Sequence, residues 1–326
     1  MNYMMTTDVY YIDAYDAFAQ QHVLLENERI PADHYHAGIV VTQQGVCLAA
    51  AVLYINPHMH YQDKHVGVVG AYGATENREA VASLFREIEK LAREAGLDFL
   101  IGPMNGSTWA DYRFHDHPEK PLFFMEMKHR PYYPDQWKSV GFTPIADYYS
   151  AIAPIVPREN ERIERVKGRL LRDGVTFRAL DIANYETDLK KLHPFLHESF
   201  QQNFLYTPIS ESSFLAKYLP LKAALKPEFV QIAEHAGKIV GVSLGVANLL
   251  DPTNTSLIIK TLARSPQRLC RGLGLVLLDE FYHRGLADGY QQLIFAFMIE
   301  EGDALPLSDG YGAQTLKTYT LYGKSI

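Results

Sequence analysis

Gly272 and Gly274 lie between two apolar runs, in a pattern that suits the binding of an anion. Residues 257–263 are typical of a β-strand, and the residues after Gly274 are typical of a helix. The first N–H groups of a helix lack partners, and its dipole favours negative charge. Arg268 and Arg271 add positive charge beside them. The simplest ligand for this pattern is a phosphate or a pyrophosphate.

This pattern differs from two better-known phosphate-binding motifs. The dinucleotide fingerprint needs a third glycine and an acidic residue about 20 positions further on. A P-loop needs Gly-Lys-Ser/Thr, which does not follow here. A lone Gly-x-Gly after a strand is also typical of an ordinary turn with glycine at positive φ. The local pattern alone leaves both the anion site and the turn open.

Over a longer span, a proline, a short stretch, Gly-x-Gly and an apolar helix resemble the acyl-CoA pyrophosphate loop of the GNAT (N-acetyltransferase) superfamily. That loop usually reads Arg/Gln-x-x-Gly-x-Gly/Ala, and here Leu269 stands at its first position. The resemblance implies acetyl-CoA or another acyl-CoA as co-substrate, held mainly by main-chain N–H groups. The implied coenzyme-binding residues are Leu262, Ala263, Arg264, Arg268, Leu269, Cys270, Arg271, Gly272, Leu273 and Gly274.

The resemblance also implies where acid–base catalysis would take place. GNAT enzymes often place a tyrosine, as general acid, a few residues past an Asn-x-x-Ala motif. Here Glu301 stands at the asparagine position and Ser308 at the tyrosine position, so Tyr311 is the nearest candidate acid. Glu300 or Glu301 is the candidate base, directly or through water. Direct transfer needs no covalent enzyme intermediate, and Cys270 is not predicted to be a nucleophile.

Two further segments are candidates for the acceptor pocket. The first is a long turn, read either as a cleft wall or as a structured loop that caps the sheet of the first half. The second follows a helix-like run, read either as pocket lining or as a solvated helix end. The candidate substrate-binding residues are Asn105, Trp109 and Glu126 in the first segment, and Glu198, Asn203 and Tyr206 in the second.

Three His-x-His pairs invite a metal hypothesis. On a strand, this spacing points both rings to one face, which is half of a metal site. No neighbouring cysteine or His-Glu pattern completes any of them, and they lie in polar, loop-like stretches, so we predict no metal. The pairs are His34 with His36, His58 with His60, and His115 with His117.

The elements that position these residues occur twice along the chain. Hairpins are predicted to turn near Gly45 and Gly237. In each half a third strand, a helix, another strand and a late aromatic strand follow, at residues 147–151 and 317–322. This order predicts a mixed α/β domain in tandem, and it also fits the GNAT fold.

Helix limits can be predicted from caps and spacing. Apolar residues recur at helical spacing between Val81 and Ala95, with Asn77 as a plausible N-cap and Gly96 as a stop. The second helix is predicted from about Leu273 to His283, and to end near Gly285.

The fold class is therefore α/β, of the α+β mixed-sheet kind. It consists of two tandem GNAT-like domains, each a mixed, mostly antiparallel sheet flanked by helices. Residues 1–156 form the predicted degenerate N-terminal domain, 157–170 a charged linker helix, and 171–326 the acyl-CoA-binding domain. At the equivalent loop the first half has Glu76, whose carboxylate would repel a phosphate. That half is predicted to bind no coenzyme and to support the second or wall its cleft.

Composition excludes several classes of protein. The 326 residues are 47% hydrophobic, with a net charge of −7 and no long basic run, so no nucleic-acid partner is predicted. The two cysteines favour a reducing compartment. No apolar run reaches the roughly 18 residues of a membrane span, and no signal peptide is apparent, so we expect a cytoplasmic protein without a membrane partner.

Together these features predict an acyl-CoA-dependent N-acyltransferase of the N-acetyltransferase type. It would act on the amine of a small-molecule or amino-acid-like acceptor by direct transfer. The alternative is a catalytically silent acyl-CoA-binding or interaction module on the same fold. A homodimer is compatible with either hypothesis.

Overall fold

The computed structural model describes residues 8–12, 32–223, 225–300 and 305–326. The chain forms two compact units. Unit 1 consists of Met1–Asp147, Phe204–Thr207 and Thr318–Ile326. Unit 2 consists of Tyr148–Asn203 and Pro208–Lys317.

Unit 1 is built on a mixed sheet in the order β1-β2-β3-β5-β6-β14. Its strands are β1 (Asp8–Ile12), β2 (Tyr35–Gln43), β3 (Val46–Tyr54), β4 (His60–Tyr61), β5 (Lys64–Ala74), β6 (Phe99–Gly102) and β7 (Phe114–His115), together with the end of β14 (Gln314–Ser325). Of these described strands, only β5 and β6 pair in parallel, and the other neighbours are antiparallel. β4 and β7 pair with β5 and β14 beside the main order.

The hairpin predicted near Gly45 is confirmed. β2 and β3 are joined by Gln44 and Gly45, at φ values of 52° and 77°. Two successive residues at positive φ make the tight turn whose twist matches that of the flanking strands.

The first predicted helix is also confirmed, as α1 (Arg78–Glu94). The Asn77 side chain accepts a hydrogen bond from the Ala80 N–H at 3.0 Å, and Gly96 follows at φ 74°. The apolar face of α1 packs against β2 and β3. A second helix of unit 1, α2 (Tyr133–Ser139), adds Tyr133 and Trp137 to the same core.

In unit 2 the strands follow the order β8-β13-β12-β11-β10-β9. Its strands are the end of β8 (Thr143–Pro154), β9 (Val175–Ala179), β10 (Val230–His235), β11 (Lys238–Ala247), β12 (Ser256–Arg264) and β13 (Gln292–Ile299). Among these described strands, only β12 and β13 pair in parallel. The hairpin predicted near Gly237 is confirmed, with Ala236 and Gly237 at φ 49° and 75°.

Helices flank the sheet of unit 2. They are α3 (Glu161–Arg172), α4 (Tyr185–Phe200), α5 (Glu211–Tyr218), α6 (Leu273–Ala287) and α7 (Leu305–Asp309). α3 lies across the predicted linker and is capped by Asn160, whose side chain accepts from the Arg162 and Ile163 N–H groups. α6 and α4 both pack on β11 and β12.

α6 begins at the predicted Leu273 and ends two residues beyond the predicted stop near Gly285. The helix runs through Gly285 to Ala287, and Gly289, at φ 82°, follows its end. A Cβ at Gly285 would lie 2.7 Å from Cδ1 of Leu257. This glycine therefore lets the helix approach the sheet and does not terminate it.

The closing strands differ from the predicted domain boundaries. Residues 148–154 of β8, at the end of the predicted first half, pair with β13 in unit 2. Thr318–Ile326, at the end of the second half, belongs to unit 1, where residues 322–325 pair with β6. The mixed α+β fold in two sheet-and-helix units agrees with the predicted fold class.

Candidate functional site

The predicted anion loop connects β12 to α6 in unit 2. The Ser265 N–H donates to the Val240 carbonyl at 2.8 Å, which anchors the start of the loop to the sheet. A short 3-10 turn, Arg268–Cys270, follows, and the Cys270 N–H donates to the Gln267 carbonyl at 2.9 Å. The loop is therefore folded by its own main chain up to the first residue of the helix.

Gly272 is the N-cap of α6 and adopts the left-handed conformation, at φ 83°. A Cβ at this position would lie 2.8 Å from Cγ1 of Val166, so a side chain is excluded by both conformation and space. No side chain from the described ranges caps the helix. The intrahelical ladder starts with the Val276 N–H, 3.3 Å from the Gly272 carbonyl. The first-turn N–H groups therefore have no capping side chain among the described residues, which is the arrangement that an anion site requires.

Several arginines precede this helix start in the strand and the loop, or contact the loop. Arg264, Arg268 and Arg271 are at least partly exposed. A Cβ placed on Gly274 would lie 4.0 Å from Cδ of Arg264, so the stem of Arg264 passes beside the first turn. The Arg169 guanidinium donates to the Arg271 carbonyl and adds a further cation. The local field favours a ligand that carries several negative charges.

The apolar residues of the loop are packed inward. Cys270 and Leu273 are fully buried, and Leu269 packs against the same core. Leu269 thus occupies a core position at the point where the family's pattern has Arg or Gln. Burial raises the pKa of the Cys270 thiol, which disfavours the thiolate that a nucleophile requires.

The parallel strands β12 and β13 separate beside this loop. Their pairing begins at Ser256 with Gln292 and ends at Ile259 with Phe295. β12 continues for five residues, to Arg264, while its other edge stays paired with β11. The predicted pantetheine-binding residues, Leu262, Ala263 and Arg264, all lie on this continuation.

β12 also contains a bulge at the point of separation. Ile259 pairs with Gly245 and Thr261 with Leu244, so Lys260 is an extra residue in β12. Bulges of this kind re-aim main-chain groups and are common beside active sites. We call the space between β12 and β13 beyond Ile259 and Phe295 the β12–β13 slot.

The corresponding edge in unit 1 is occupied by the protein itself. β5 and β6 stop pairing after Val68 and Ile101. Beyond that point the Met104 N–H donates to the Val69 carbonyl at 2.9 Å. The Ala71 N–H donates to Oδ1 of Asn105 at 2.7 Å.

Aromatic side chains fill the rest of that region of unit 1. The Ala74 N–H donates to the Tyr133 hydroxyl at 3.2 Å. The Tyr72 ring packs edge-on against Tyr133 and Trp137, with centroids 4.9 and 5.5 Å away. Unlike α6, α1 is capped by a side chain, that of Asn77. In the described part of unit 1, the edge of β5 beyond its parallel pairing is therefore occupied, and the helix that follows β5 is capped.

The first set of predicted acceptor residues makes contacts inside unit 1. Nε1 of Trp109 donates to the Thr207 carbonyl at 2.9 Å. Glu126 accepts from the Phe123 N–H at 2.8 Å and from the Tyr319 hydroxyl at 2.6 Å. These contacts are typical of a structured capping loop, the second of the two interpretations of this segment.

The second set is divided between the units. Glu198 and Asn203 lie at the end of α4 and just after it in unit 2, and Asn203 is exposed. Tyr206 belongs to unit 1, where its ring lies 6.0 Å from that of Trp109 and burial raises its pKa to about 12. A role in acceptor binding stays a prediction for both sets.

The predicted acid and the predicted base have different surroundings. Glu300 is exposed directly after β13, and Glu301 lies outside the described residues. The Tyr311 hydroxyl is directed into the core, where it donates to Oδ1 of Asp279 at 3.2 Å. Burial and the Asp279 carboxylate raise the pKa of Tyr311 well above its usual range. Their catalytic roles stay predictions.

Sequence reasoning missed Asp279 as a partner in this core. It is 5% exposed, accepts from Tyr311, and lies 3.2 Å from Nδ1 of His283 one helical turn on. The spacing of Asp279 and His283 was the only sequence signal, and it is equally typical of a solvated helix surface.

The structure also gives findings on metals and membranes. Among the described ranges, no group of three or more His, Cys, Asp or Glu side chains is placed to hold a metal ion. His115 stacks on His129, with ring centroids 4.0 Å apart. No helix in the described part of the chain is long and apolar enough to cross a membrane.

Comparison with known proteins gives one curated relative and many similar folds. No family model matches the chain. The bacterial ceramide synthase of Caulobacter vibrioides is 26% identical over 193 residues, which cover 57% of this chain and 48% of that protein. The chain thus spans about half the length of the curated relative it matches.

Two solved structures illustrate the shared fold. A tandem GNAT protein from the clavulanic acid biosynthesis pathway has a TM-score of 0.53 and 10% identity, covering 98% of both chains. A conserved protein from Enterococcus faecalis V583, called a probable N-acyltransferase, has a TM-score of 0.60 and 9% identity, covering 98% of this chain and 73% of that one. At these identities the likeness shows the fold, and the predicted resemblance to tandem GNAT proteins is confirmed at that level.

Proposed function

We propose that this protein is an acyl-CoA-dependent N-acyltransferase with one coenzyme site, in unit 2. The observation that carries the proposal is the helix start at Gly272, which no side chain of the described residues caps and which the exposed Arg264, Arg268 and Arg271 precede. It lies directly after the strand that separates from its parallel neighbour. An anion site and an open strand edge on one continuous segment suit a long ligand with phosphates at one end.

The phosphates of CoA would lie on the first turn of α6. Main-chain N–H groups after Gly272 would donate to the pyrophosphate oxygens, and Arg264 and Arg268 would add charge-assisted hydrogen bonds. The pantetheine arm carries amide groups, and it would pair with the open edge of β12 much as a peptide adds to a sheet. Leu262 and Ala263 lie on that part of the strand.

The thioester would then reach the β12–β13 slot. A main-chain N–H near the β12 bulge would polarise the carbonyl oxygen. The neutral amine attacks the carbonyl carbon, a C–N bond forms, the C–S bond breaks, and the CoA thiolate leaves. The acceptor ammonium loses one proton to a base before it attacks, and the acylated nitrogen loses a second one. The thiolate takes one proton up, so an ammonium and a thioester give an amide, a thiol and one released proton.

The base and acid of this reaction are proposed from position. Glu300 is exposed at the end of β13 and is the proposed base, directly or through water. Tyr311 is the tyrosine nearest to the family's acid position, although its hydroxyl donates to Asp279. Because Asp279 holds that hydroxyl, water is the proposed acid that protonates the thiolate, and Tyr311 is the alternative acid.

The acceptor is proposed to be an amine of a small molecule. The relative's name adds one specific class, because ceramide is an amide of a long-chain amino alcohol. An acceptor panel should therefore contain amino acids, short amines and a long-chain amino alcohol. Acetyl-CoA and a long-chain acyl-CoA should be the donors.

Gly274 is the position at which the proposal is best tested. A Cβ there would have only ordinary contacts, 3.9 Å to Leu262 and 4.0 Å to Arg264. Gly274→Asp would put a carboxylate at the phosphate site, and an acidic residue in a first turn does not destabilise a helix. Gly274→Ala is the matched control. Gly272 is unsuitable because of its positive φ and its contact with Val166.

The test is calorimetric titration of CoA and acetyl-CoA, with thiol release measured across the acceptor panel. Wild type and Gly274→Ala should bind CoA, and Gly274→Asp should weaken binding at least tenfold, which is about 1.4 kcal/mol. Absence of binding by wild type would reject the proposal. Binding without thiol release for any amine would support the silent module instead.

A further inference from the structure

β13 contains an irregularity of its own, which the proposed function does not use. Phe295 pairs with Ala151 of β8, and Met298 pairs with Tyr149. Two residues of β13, Ala296 and Phe297, therefore stand opposite one residue of β8, Ser150. This two-against-one count defines a β-bulge.

Phe297 carries the strain of the bulge. Its φ is 60°, in the left-handed region that aromatic residues rarely adopt. Such a conformation persists only where its surroundings hold it, and it often marks a functional site. The Phe297 N–H donates to Oγ of Ser150 at 3.1 Å, and Ser150 is fully buried. A hydroxyl in the neighbouring strand thus takes the place of the lost ladder hydrogen bond.

The bulge also changes which side chains face α6. Leu293, Phe295 and Met298 belong to one core cluster with Leu278 and Phe281 of α6. Their spacing changes from two residues to three, so Phe297 is displaced from the position that strand alternation would give it. It is partly exposed, whereas Met298 is buried in its place.

The position of the bulge connects it to the β12–β13 slot. Phe295 is the last residue of β13 that pairs with β12, and the bulge occupies the next two positions. The strand that borders the slot thus changes direction where the slot begins. In unit 1, β6 pairs with β14 from Phe99 to Gly102 without a register shift. The bulge is therefore a feature of the unit that has the anion loop.

We propose that Ser150 is a positioning residue for acyl transfer. Its hydroxyl holds Phe297 in the left-handed conformation, and the resulting bulge shapes the β12–β13 slot for the acyl-thioester end of acyl-CoA. This inference rests on the proposed function. Ser150 acts through Phe297 and is not itself in contact with the reacting atoms.

The two ends of the ligand should respond differently to a change at Ser150. The phosphates would lie on the α6 start, which is built by β12 and its loop. The acyl group would lie between β12 and β13, next to the bulge. Loss of the Ser150 hydroxyl should therefore reduce the preference for acetyl-CoA over CoA and leave the affinity for CoA unchanged.

The experiment measures Kd for CoA and acetyl-CoA by calorimetry, and kcat/KM for acetyl-CoA. Ser150→Ala should weaken acetyl-CoA binding and lower kcat/KM by about three- to tenfold, the range of one hydrogen bond, with CoA affinity within about twofold of wild type. Ser243→Ala is the matched control. The Ser243 hydroxyl is fully buried in unit 2 and has no hydrogen-bond partner within the described residues.

A double-mutant cycle separates this role from general stability. Glycine adopts a φ of 60° without strain, so Phe297→Gly makes the support of Ser150 unnecessary. In that background Ser150→Ala should no longer change the ratio of the two affinities. Should Ser150→Ala fail to fold, Phe297→Val disrupts the same bulge while Ser150 is intact, because β-branched residues disfavour positive φ. Phe297→Val should then show the reduced ratio.

The outcomes are distinct. An equal loss of CoA and acetyl-CoA affinity in Ser150→Ala, an unchanged ratio, or a full effect in the Phe297→Gly background would overturn the positioning role alone. Absence of binding of both ligands to wild type would overturn the proposed function and this inference together. The positioning role is supported by two results together. Ser150→Ala, but not Ser243→Ala, should reduce the affinity for acetyl-CoA relative to CoA. In the Phe297→Gly background, Ser150→Ala should leave this ratio unchanged.

Discussion

The main-chain N–H of Ala71 donates to the side-chain carbonyl of Asn105 at 2.7 Å, inside unit 1. This contact lies where β5 has left its parallel neighbour, which corresponds in unit 2 to the part of β12 beyond its pairing with β13. A Cβ on Gly70 would lie 2.1 Å from the Met104 carbonyl oxygen, so the segment that carries Asn105 approaches β5 closely. In unit 1, Met104 and Asn105 form hydrogen bonds with the edge of β5 beyond its parallel pairing. In unit 2, a pantetheine arm would form such hydrogen bonds with β12.

Replacement of Asn105 should therefore affect stability without creating a coenzyme site. Asn105→Ala removes the acceptor of a buried N–H, at a cost of about 1–3 kcal/mol in the free energy of unfolding. Tyr133 and Trp137 still fill the region, so the stoichiometry of CoA binding should stay at one per chain. Denaturant unfolding and calorimetry measure both quantities.

Asn203→Ala is the control, because Asn203 is exposed and its loss should change stability by no more than about 0.5 kcal/mol. Equal effects of the two substitutions would contradict the role assigned to Asn105. A second equivalent of bound CoA in Asn105→Ala would show that unit 1 retains a coenzyme site.

The arginines beside the Gly272 helix start should contribute to CoA affinity through charge. Arg264→Gln and Arg268→Gln should each raise the Kd of CoA about three- to tenfold at low salt, with a smaller effect at high salt. Arg284→Gln is the matched control, since Arg284 is exposed in the last turn of the same helix. Calorimetry at two ionic strengths tests this. Equal effects at both helix ends would place the phosphates elsewhere.

Local elements could be predicted from the sequence because their signals are local. The Gln44–Gly45 and Ala236–Gly237 turns need only two residues that accept positive φ, and α1 needs only Asn77, its apolar spacing and Gly96. Glycine at position 272 has no side chain that could cap the helix, so the uncapped start could also be predicted locally. These features depend on neighbours within a few residues.

The pairing of the closing strands could not be predicted in this way. Residues 147–151 and 317–322 are both aromatic runs with similar alternation, and either is compatible with either sheet. Their partners are separated by long stretches of sequence. The bulge at Phe297 could not be predicted for the same reason, because it depends on the pairing of β13 with the distant strand β8. Ser150 had no signal beyond a hydroxyl in the largely apolar stretch of residues 148–153.

Tyr311 provides a test of the predicted general acid. Tyr311→Phe removes a donor to the buried Asp279 carboxylate, so the free energy of unfolding should fall by about 1–3 kcal/mol. With its hydroxyl held by Asp279, turnover should slow less than tenfold, in contrast to the roughly 10²–10⁴-fold typical of a lost acid–base group. Thermal denaturation and steady-state kinetics measure the two effects.

Tyr290→Phe is the matched control in the same unit. The Tyr290 hydroxyl accepts from the exposed Lys226 at 3.2 Å, so its loss leaves no buried charge unpaired and should cost less stability. Should Tyr311→Phe slow turnover by a hundredfold or more while unfolding stays unchanged, Tyr311 would instead be assigned as the general acid.

His283 should make the stability of unit 2 depend on pH. Burial lowers the pKa of His283, but hydrogen bonds to the Arg158 and Asp279 carbonyls and the Asp279 carboxylate outweigh this, so its pKa is raised overall. Nδ1 lies 3.2 Å from Oδ2 of Asp279, and Nε2 lies 3.1 Å from the Arg158 carbonyl oxygen. Both ring nitrogens therefore face acceptors, which favours the doubly protonated ring.

The sign of the effect follows from the raised pKa. Protons bind more tightly in the folded state, so the contribution of His283 is fully present below the ordinary histidine pKa of about 6.5 and is lost as pH rises through the folded value. Denaturant unfolding of wild type and His283→Gln from acid to mildly alkaline pH measures it. The difference between the two proteins should be largest at the acid end and shrink as pH rises. A difference that stays constant with pH, or grows towards alkaline pH, would show that the protonated ring does not stabilise this network.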